Sequence, residues 1–468
     1  MRLRSLRRSV LVAVLAAIPL VPPPAGAADP DWVERWASPD VRRESGADVV
    51  TDAEGNLYVC ATTEFAQLVT ADVLVLSYDP DGALRWSDVY DSGGQDLAVA
   101  LELDPTGRLI VAGRTLGDFL VLAYDPASGA RLGTWTHDAG GIDDPRALAT
   151  DADGHVYVTG SSWTDEQNDY YTVELDADGN LVWSARYQGP GAFLFAHDVA
   201  YAVAVDAAGD VFVSGSSNGP GQPSGDFVTI KYSGVDGSEL WFDRYSIGSN
   251  EVAYDLELDA AGDVYITGGS YQSGFVFVTR KYANATGAVL WSVTHQPELC
   301  SVATELELDG RGGVYVSGWA DPDCDESNFN DNIVTDRLRA DDGARLWSTS
   351  FGSPAVGQFD VPSDLGIDRF GQPWVTGLNV SVLVVLRYDP VSGDIVDQTT
   401  VAGAAEELTG GSALAFLDGR DVAVTGGYRN FNTENRDVLT LRIAGADPSV
   451  LVDGFESGDT QGWSQTVP

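Results

Sequence analysis

Hydrophobic and polar residues alternate along this chain in short runs, and the runs recur. Over residues 253–259, Leu256 and Leu258 alternate with Asp255 and Glu257, the period of two of a strand with one buried face. Ala260-Ala261-Gly262 then forms a turn, where glycine supplies the backbone freedom a tight connection needs. DVYITG (263–268), FVFVTRKY (275–282) and AVLWSVTH (288–295) continue the unit as three more strands rich in Val, Ile, Tyr, Phe and Trp. The stretch DAAGDVYITG (259–268) has counterparts in DAEGNLYVCA from Asp52, DADGHVYVTG from Asp151 and DAAGDVFVSG from Asp206.

The last residue of each such landmark falls at Ala61, Gly113, Gly160, Gly215, Gly268, Gly318, Gly377 and Gly426, with spacings of 47 to 59 residues. A unit of this length repeated eight times predicts propeller blades. The fourth strand carries a tryptophan four residues after its turn glycine: Trp86, Trp183, Trp241, Trp291 and Trp347. Gly133 and Asp397 replace it in units two and seven, with Trp135 two residues beyond Gly133. A large flat side chain at one strand position suits packing between blades. The eighth unit supplies only three strands, while WVERWAS (32–38) stands alone at the other end. The expected fold is all-β: one propeller of eight four-stranded blades, closed by the N-terminal strand completing the last blade. Seven blades with an irregular region is the alternative.

The ends read differently. Arg2, Arg4, Arg7 and Arg8 precede an apolar run from Val10 to Val21 and a small-x-small site, Ala25-Gly26-Ala27. Residues 1–27 are therefore expected to be a secretory signal peptide, residues 28–447 the propeller and 448–468 an appended tail. No later segment reaches the roughly 18 apolar residues of a membrane span. The expected location is extracellular, periplasmic or cell-surface, and the expected state a monomer.

Composition sharpens this picture. The formal net charge is −43, and removal of residues 1–27 deepens it to about −47. Such a surface disfavours nucleic acid and suits solubility or divalent cations. Of three cysteines, Cys300 and Cys324 fall just before the first strand of unit six and in its long loop, on one face of a propeller. They can pair, leaving Cys60 free in a strand.

The D-x-x-G-x-[VL]-[YF]-V-[TS]-G units with their G-x-x-x-W strands resemble the secreted bacterial β-propeller repeat (SBBP) family, over nearly all of residues 32–445. That resemblance implies the fold and an extracellular or surface setting, but no activity. DGFESGDTQGW (453–463) looks like a short C-terminal motif of secreted proteins. The tryptophan strands are also similar to those of eight-bladed quinoprotein dehydrogenases, which implies pyrroloquinoline quinone over calcium. The vicinal cysteine pair of those enzymes is absent here, and their calcium ligands and catalytic aspartate find no matching positions.

Candidate chemistry follows from position. Asp48, Asp255, Glu305 and Asp364 lie four residues before the turn aspartate, and Glu102, Glu257 and Glu307 two before it. Acids at period two share a strand face, so these seven are candidate calcium ligands around the channel. The alternative is that they line a wet channel or bond neighbouring amides. Asp72, Asp118, Asp169, Asp226 and Asp437 recur before the third strand and are expected to accept bonds from turn backbone. The loops between second and third strands vary most, and the aromatics around them are candidate ligand contacts: Trp163, Tyr170, Tyr171, Trp319 and Phe329, with Phe193 and Phe195 in the next connection. His137, His155, His197 and His295 show no metal spacing, and no nucleophile elbow or catalytic triad is assignable. The reading is a non-enzymatic binding or surface-interaction module for a glycan or protein, with calcium as a possible stabiliser. An exported quinoprotein-like oxidoreductase or carbohydrate-active hydrolase or lyase is the alternative.

Overall fold

A computed structural model of the chain describes residues 32–36, 42–65, 70–164, 167–190, 197–219, 224–247, 250–271, 274–322, 324, 331–352, 360–379, 382–401, 407–417, 421–429 and 436–443. The expected signal peptide and C-terminal tail lie outside these residues. The described chain is all strand, in eight four-stranded antiparallel blades. We letter the strands of each blade a to d. Strand a is Arg42–Thr51, Asp96–Leu103, Ile142–Thr150, Val199–Val205, Glu251–Leu258, Cys300–Leu308, Asp360–Ile367 and Glu407–Phe416 in blades one to eight. Each strand a touches the strand a of both neighbouring blades, so these strands form the inner ring. Blade eight takes its fourth strand from the other end of the chain. Trp32–Trp36 pairs antiparallel with Arg436–Ile443, in register from Trp32 opposite Arg442 to Trp36 opposite Val438.

The core lies between blades, not within them. One cluster joins Phe212, Phe227 and Trp241 of blade four to Leu256, Val264, Ile266 and Tyr282 of blade five. Strands b and c are buried on both faces, which is why they read as unbroken apolar runs. The repeat glycine has a steric cause. Strand a carries a β-bulge, between Ala253 and Asp255 in blade five. The bulge drives its carbonyl against strand b, and a Cβ on Gly268 would lie 2.0 Å from Val252 O. The hydroxyl before that glycine is also structural: Thr267 Oγ1 donates to Val278 O at 3.2 Å within the core.

The turn aspartate organises the a–b hairpin. Asp259 Oδ1 accepts from the amides of Ala261 (2.9 Å) and Asp263 (3.0 Å), and Oδ2 from Tyr265 Oη (3.2 Å) and Lys281 Nζ (3.1 Å). The recurrent tryptophan latches four of the blades to the next. Trp86, Trp241, Trp291 and Trp347 donate Nε1–H to the carbonyls of Pro126, Asn284, Ala340 and Pro390 in the following blade's c–d turn. That turn's glycine leaves room for the indole: a Cβ on Gly393, whose φ is +77°, would lie 2.5 Å from the Trp347 ring.

Candidate functional site

The inner-ring acids fasten blades together. Asp48 Oδ1 accepts from Val49 N (2.7 Å), and Oδ2 from Leu101 N of blade two (2.8 Å). Asp255 repeats this with Leu256 N and Leu306 N of blade six, both at 2.7 Å. Asp364 does so with Leu365 N (2.8 Å) and Leu414 N of blade eight (2.7 Å). In each case the carboxylate stands just after the bulge and joins the next amide of its own strand to an amide of strand a in the following blade. Glu257 accepts from Leu308 N at 3.0 Å, and Glu102 from Thr150 Oγ1 at 2.8 Å. Glu305 lies between the charges of Asp255 and Asp364, and Glu307 hydrogen-bonds Glu257. None of the seven belongs to a group of three whose oxygens come within 4.8 Å of one another; among the described residues two other aspartate triads do.

Burial sets the protonation of this ring. It lifts the carboxyl of Asp48 to about 6, against backbone bonds that pull it down, and that of Glu102 to about 7. Asp364 rises to about 8 through burial and the charges of Asp48 and Asp255. Asp255, Glu257, Glu305 and Glu307 are also pushed up, by burial first and, for the three glutamates, by one another's or neighbouring charges as well. A folded-state value above the unfolded one gives stability that is full below about pH 4 and is lost as pH rises through the folded values. The melting temperature should therefore fall between pH 5 and pH 8. Glu307→Gln gives Glu257 a permanent donor in place of a shared proton. It should raise the pH 8 melting temperature and flatten the slope, with little change at pH 5. A wild-type melting temperature that is flat or rising over this window in circular dichroism would contradict the account.

The opposite end of strand a holds acids that the sequence reading missed. Glu44, Asp96, Asp143, Asp198, Glu251 and Asp360 are almost wholly buried. Each stands eight residues before its turn aspartate, an offset visible in the sequence. They sit where d–a and b–c connections meet. Asp198 collects the amides of Gly189 (2.5 Å) and Asn218 (2.9 Å). The acids opening strand c meet them there, and side chains, not turn backbone as expected, are the partners of two. Asp169 pairs with Arg186 (3.1 Å) and Asp226 with Arg244 (2.6 Å). Asp118 instead joins Asp138 and Asp143, and Asp72 joins Asp91 and Asp96. The side chain of Asp437 lies outside the described residues.

On this same face Cys300 and Cys324 are joined by a disulfide, their Cα atoms 5.3 Å apart, while Cys60 is free and buried. The expected aromatic contacts need correction. Tyr170 is fully buried and Tyr171 nearly so, each within an inter-blade core, because both faces of strand c are covered. Neither is open to a ligand. Trp163 and Trp319 are half-buried, Trp163 lying against His197 with ring centroids 6.3 Å apart. Phe329, Phe193 and Phe195 lie outside the described residues.

Two tyrosines not singled out from the sequence meet on the inner ring. Tyr201 and Tyr254 are the extra residues of the bulges in blades four and five, with centroids 5.4 Å apart, and the exposed Arg146 lies 6.0 Å from the Tyr201 ring. The bulge that marks them is invisible in period-two reading. On the a–b face, a cleft of about 390 Å³ between blades three and four is lined by Asp151, His155, Tyr157 and Glu174. His155 Nδ1 meets Glu174 Oε1 at 2.5 Å. Blades four to seven carry Lys231, Lys281, Arg337 and Arg387 at the strand-c position of Glu174. His155 thus supplies the countercharge that the substitution by Glu174 requires.

No family model matches the chain, and no curated protein matches it in sequence. Solved structures do match in shape. Sqt1 from Chaetomium thermophilum, bound to the N-terminus of ribosomal protein L10, is 12% identical, with a TM-score of 0.60 over 89% of this chain and 100% of that one. Quinohemoprotein alcohol dehydrogenase from Comamonas testosteroni is 12% identical, with a TM-score of 0.55 over 90% of this chain and 77% of that one. The Dos1 propeller is 11% identical, with a TM-score of 0.50 over 88% and 95%. These likenesses show the fold alone. No helix among the described residues is long and apolar enough to cross a membrane.

Proposed function

We propose that this protein is a secreted, non-enzymatic propeller that binds a protein partner through its b–c and d–a face. The observation that carries the reading is the Cys300–Cys324 disulfide. It ties the long b–c loop of blade six to the start of that blade's inner strand. A covalent tether fits an oxidising compartment, and holding a loop in one shape reduces the ordering that binding must otherwise impose. The tethered loop is acidic, with Asp321, Asp323, Asp325, Glu326 and Asp331 in eleven residues. A basic partner surface is its complement.

The inner-ring acids argue in the same direction, since Asp48, Asp255, Asp364 and Glu257 accept from amides of the next blade, Glu102 from Thr150 Oγ1, and Glu307 bonds Glu257. A displayed peptide library panned on purified protein should enrich basic sequences. A visible absorbance band of bound quinone together with alcohol oxidation would overturn the reading in favour of an oxidoreductase. Enrichment of neutral glycans on an array, without basic peptides, would overturn the choice of partner.

A further inference from the structure

The connection from blade two to blade three reads Asp138-Ala139-Gly140-Gly141-Ile142-Asp143. Asp143 is completely buried. Its own amide donates to Gly117 O at 2.6 Å, and its Oδ2 accepts from Ala139 N at 2.7 Å. Its Oδ1 is buried and has no hydrogen-bond partner. A buried carboxylate oxygen left unsatisfied is costly. Asp118 and Asp138 face it, and one oxygen of each of the three lies within 4.8 Å of the other two.

The neighbouring blades show what this place requires. In blades three and four the acid opening strand c is neutralised by a guanidinium from strand d, Arg186 or Arg244. Tyr171 pairs with Arg186, Val228 with Arg244, and in blade two Leu120 pairs with Thr136. Thr136 therefore stands where the arginine would be. Two residues further on, where blades three and four have Gln188 and Ser246, blade two has Asp138. The built-in cation is lost and a third carboxylate is gained at one place. The residues of the triad pair with no arginine or lysine among the described residues, and His137 beside them is engaged at Nε2 by Tyr171 Oη (2.9 Å).

We infer that Asp118, Asp138 and Asp143 form a calcium site that takes the place of the arginine of the following blades. Calcium lies 2.3–2.6 Å from its oxygen ligands, so oxygens up to about 5 Å apart can share one ion. The set is all oxygen, without the imidazole or thiolate that would favour zinc. Burial and the charges of Asp138 and Asp143 push the Asp118 carboxyl up, against a smaller opposing pull from His137. The triad one blade earlier, Asp72, Asp91 and Asp96, has the same D-[SA]-G-G-x-D connection. There Asp96 is satisfied at both oxygens by Ser92 N and Oγ (2.7 Å each) and by Thr115 Oγ1 (2.5 Å). The inference is therefore confined to the blade-two triad, and it does not rest on the proposed partner.

Isothermal calorimetry of the EDTA-treated full chain with calcium chloride tests it. Wild type should bind calcium with a dissociation constant of about 0.1–1 mM, the range of extracellular modules, and melt at higher temperature with calcium present. Asp138→Asn, at an exposed position where the amide oxygen can still accept from Gly140 N (2.7 Å to Asp138 Oδ1), should weaken binding at least about tenfold, as should Asp118→Asn. Glu257→Gln and Glu307→Gln on the inner ring should leave the affinity unchanged. Absence of heat and of any melting shift in wild type would overturn the inference. So would full affinity in both aspartate variants, or loss of affinity in the inner-ring variants alone.

Discussion

Deleting residues 28–38 is expected to open the ring and to leave a chain that melts early and associates. Among the described residues Trp32–Trp36 pairs the outer side of Arg436–Ile443 over five positions, beside a single bridge from Arg43 to Arg436. Without it blade eight has three strands, and its last one presents a row of unpaired amides and carbonyls, a template for association. Five ladder positions are lost, and at about 1 kcal/mol per net hydrogen bond the direct loss is on the order of 5 kcal/mol. The N-terminal segment is also a clasp between chain ends some 400 residues apart. Its removal leaves blade eight held to blade one by side-by-side contacts and a single parallel bridge, Arg43 to Arg436. Thermal melting with size-exclusion chromatography reads both effects. An unchanged melting temperature in a monomeric protein would show that closure does not depend on this strand.

Trp347→Ala is expected to destabilise the chain by about 3–5 kcal/mol, the range for removing a large aromatic from a packed core. Its indole is packed between blades six and seven. It stacks on Tyr388 at 6.0 Å and 17°, donates to Pro390 O at 3.0 Å, and covers Gly393 where a side chain would clash. Arg337 donates to the same carbonyl at 2.6 Å, so the cavity would lie beside a cation that has lost its apolar cover. Trp347→Phe keeps most of the packing and forfeits the hydrogen bond, so a loss nearer 1–2 kcal/mol is expected. Urea unfolding measures both. A loss below about 1 kcal/mol for the alanine variant would mean that the recurrent tryptophan is not the inter-blade latch.

The parts of the fold that were legible in the sequence are those fixed locally and repeated. The turn aspartate, the turn glycine, the strand period and the tryptophan each act within one hairpin or one blade junction, and their recurrence from unit to unit makes them unmistakable. Ring closure was legible because a lone strand at one end matched a missing strand at the other. The site was harder to read. Tyr170 and Tyr171 border a variable loop in the sequence and so read as candidate contacts, yet a blade is covered on both sides and period-two alternation has no open face on strand c. The partners of Asp169 and Asp226 lie 17 and 18 residues away on strand d, and nothing local links them. Asp118, Asp138 and Asp143 come from three elements of two blades. Among seventy acids only the fixed eight-residue offset of Asp143 from Asp151 hinted at its role. Tyr201 and Tyr254 meet because a bulge shifts the register by one residue, which no alternation pattern reports.

The account holds that the inner ring is structural and that recognition belongs to the disulfide-pinned loop face. The affinity of the best basic peptide for wild type, for Cys300→Ser/Cys324→Ser and for Glu305→Gln, measured by calorimetry at pH 7 on folded protein, separates the two. The predicted result is a loss of at least about tenfold in the double serine variant and none in Glu305→Gln. Undiminished binding by the serine variant, together with loss in Glu305→Gln, would place recognition in the channel and contradict the account.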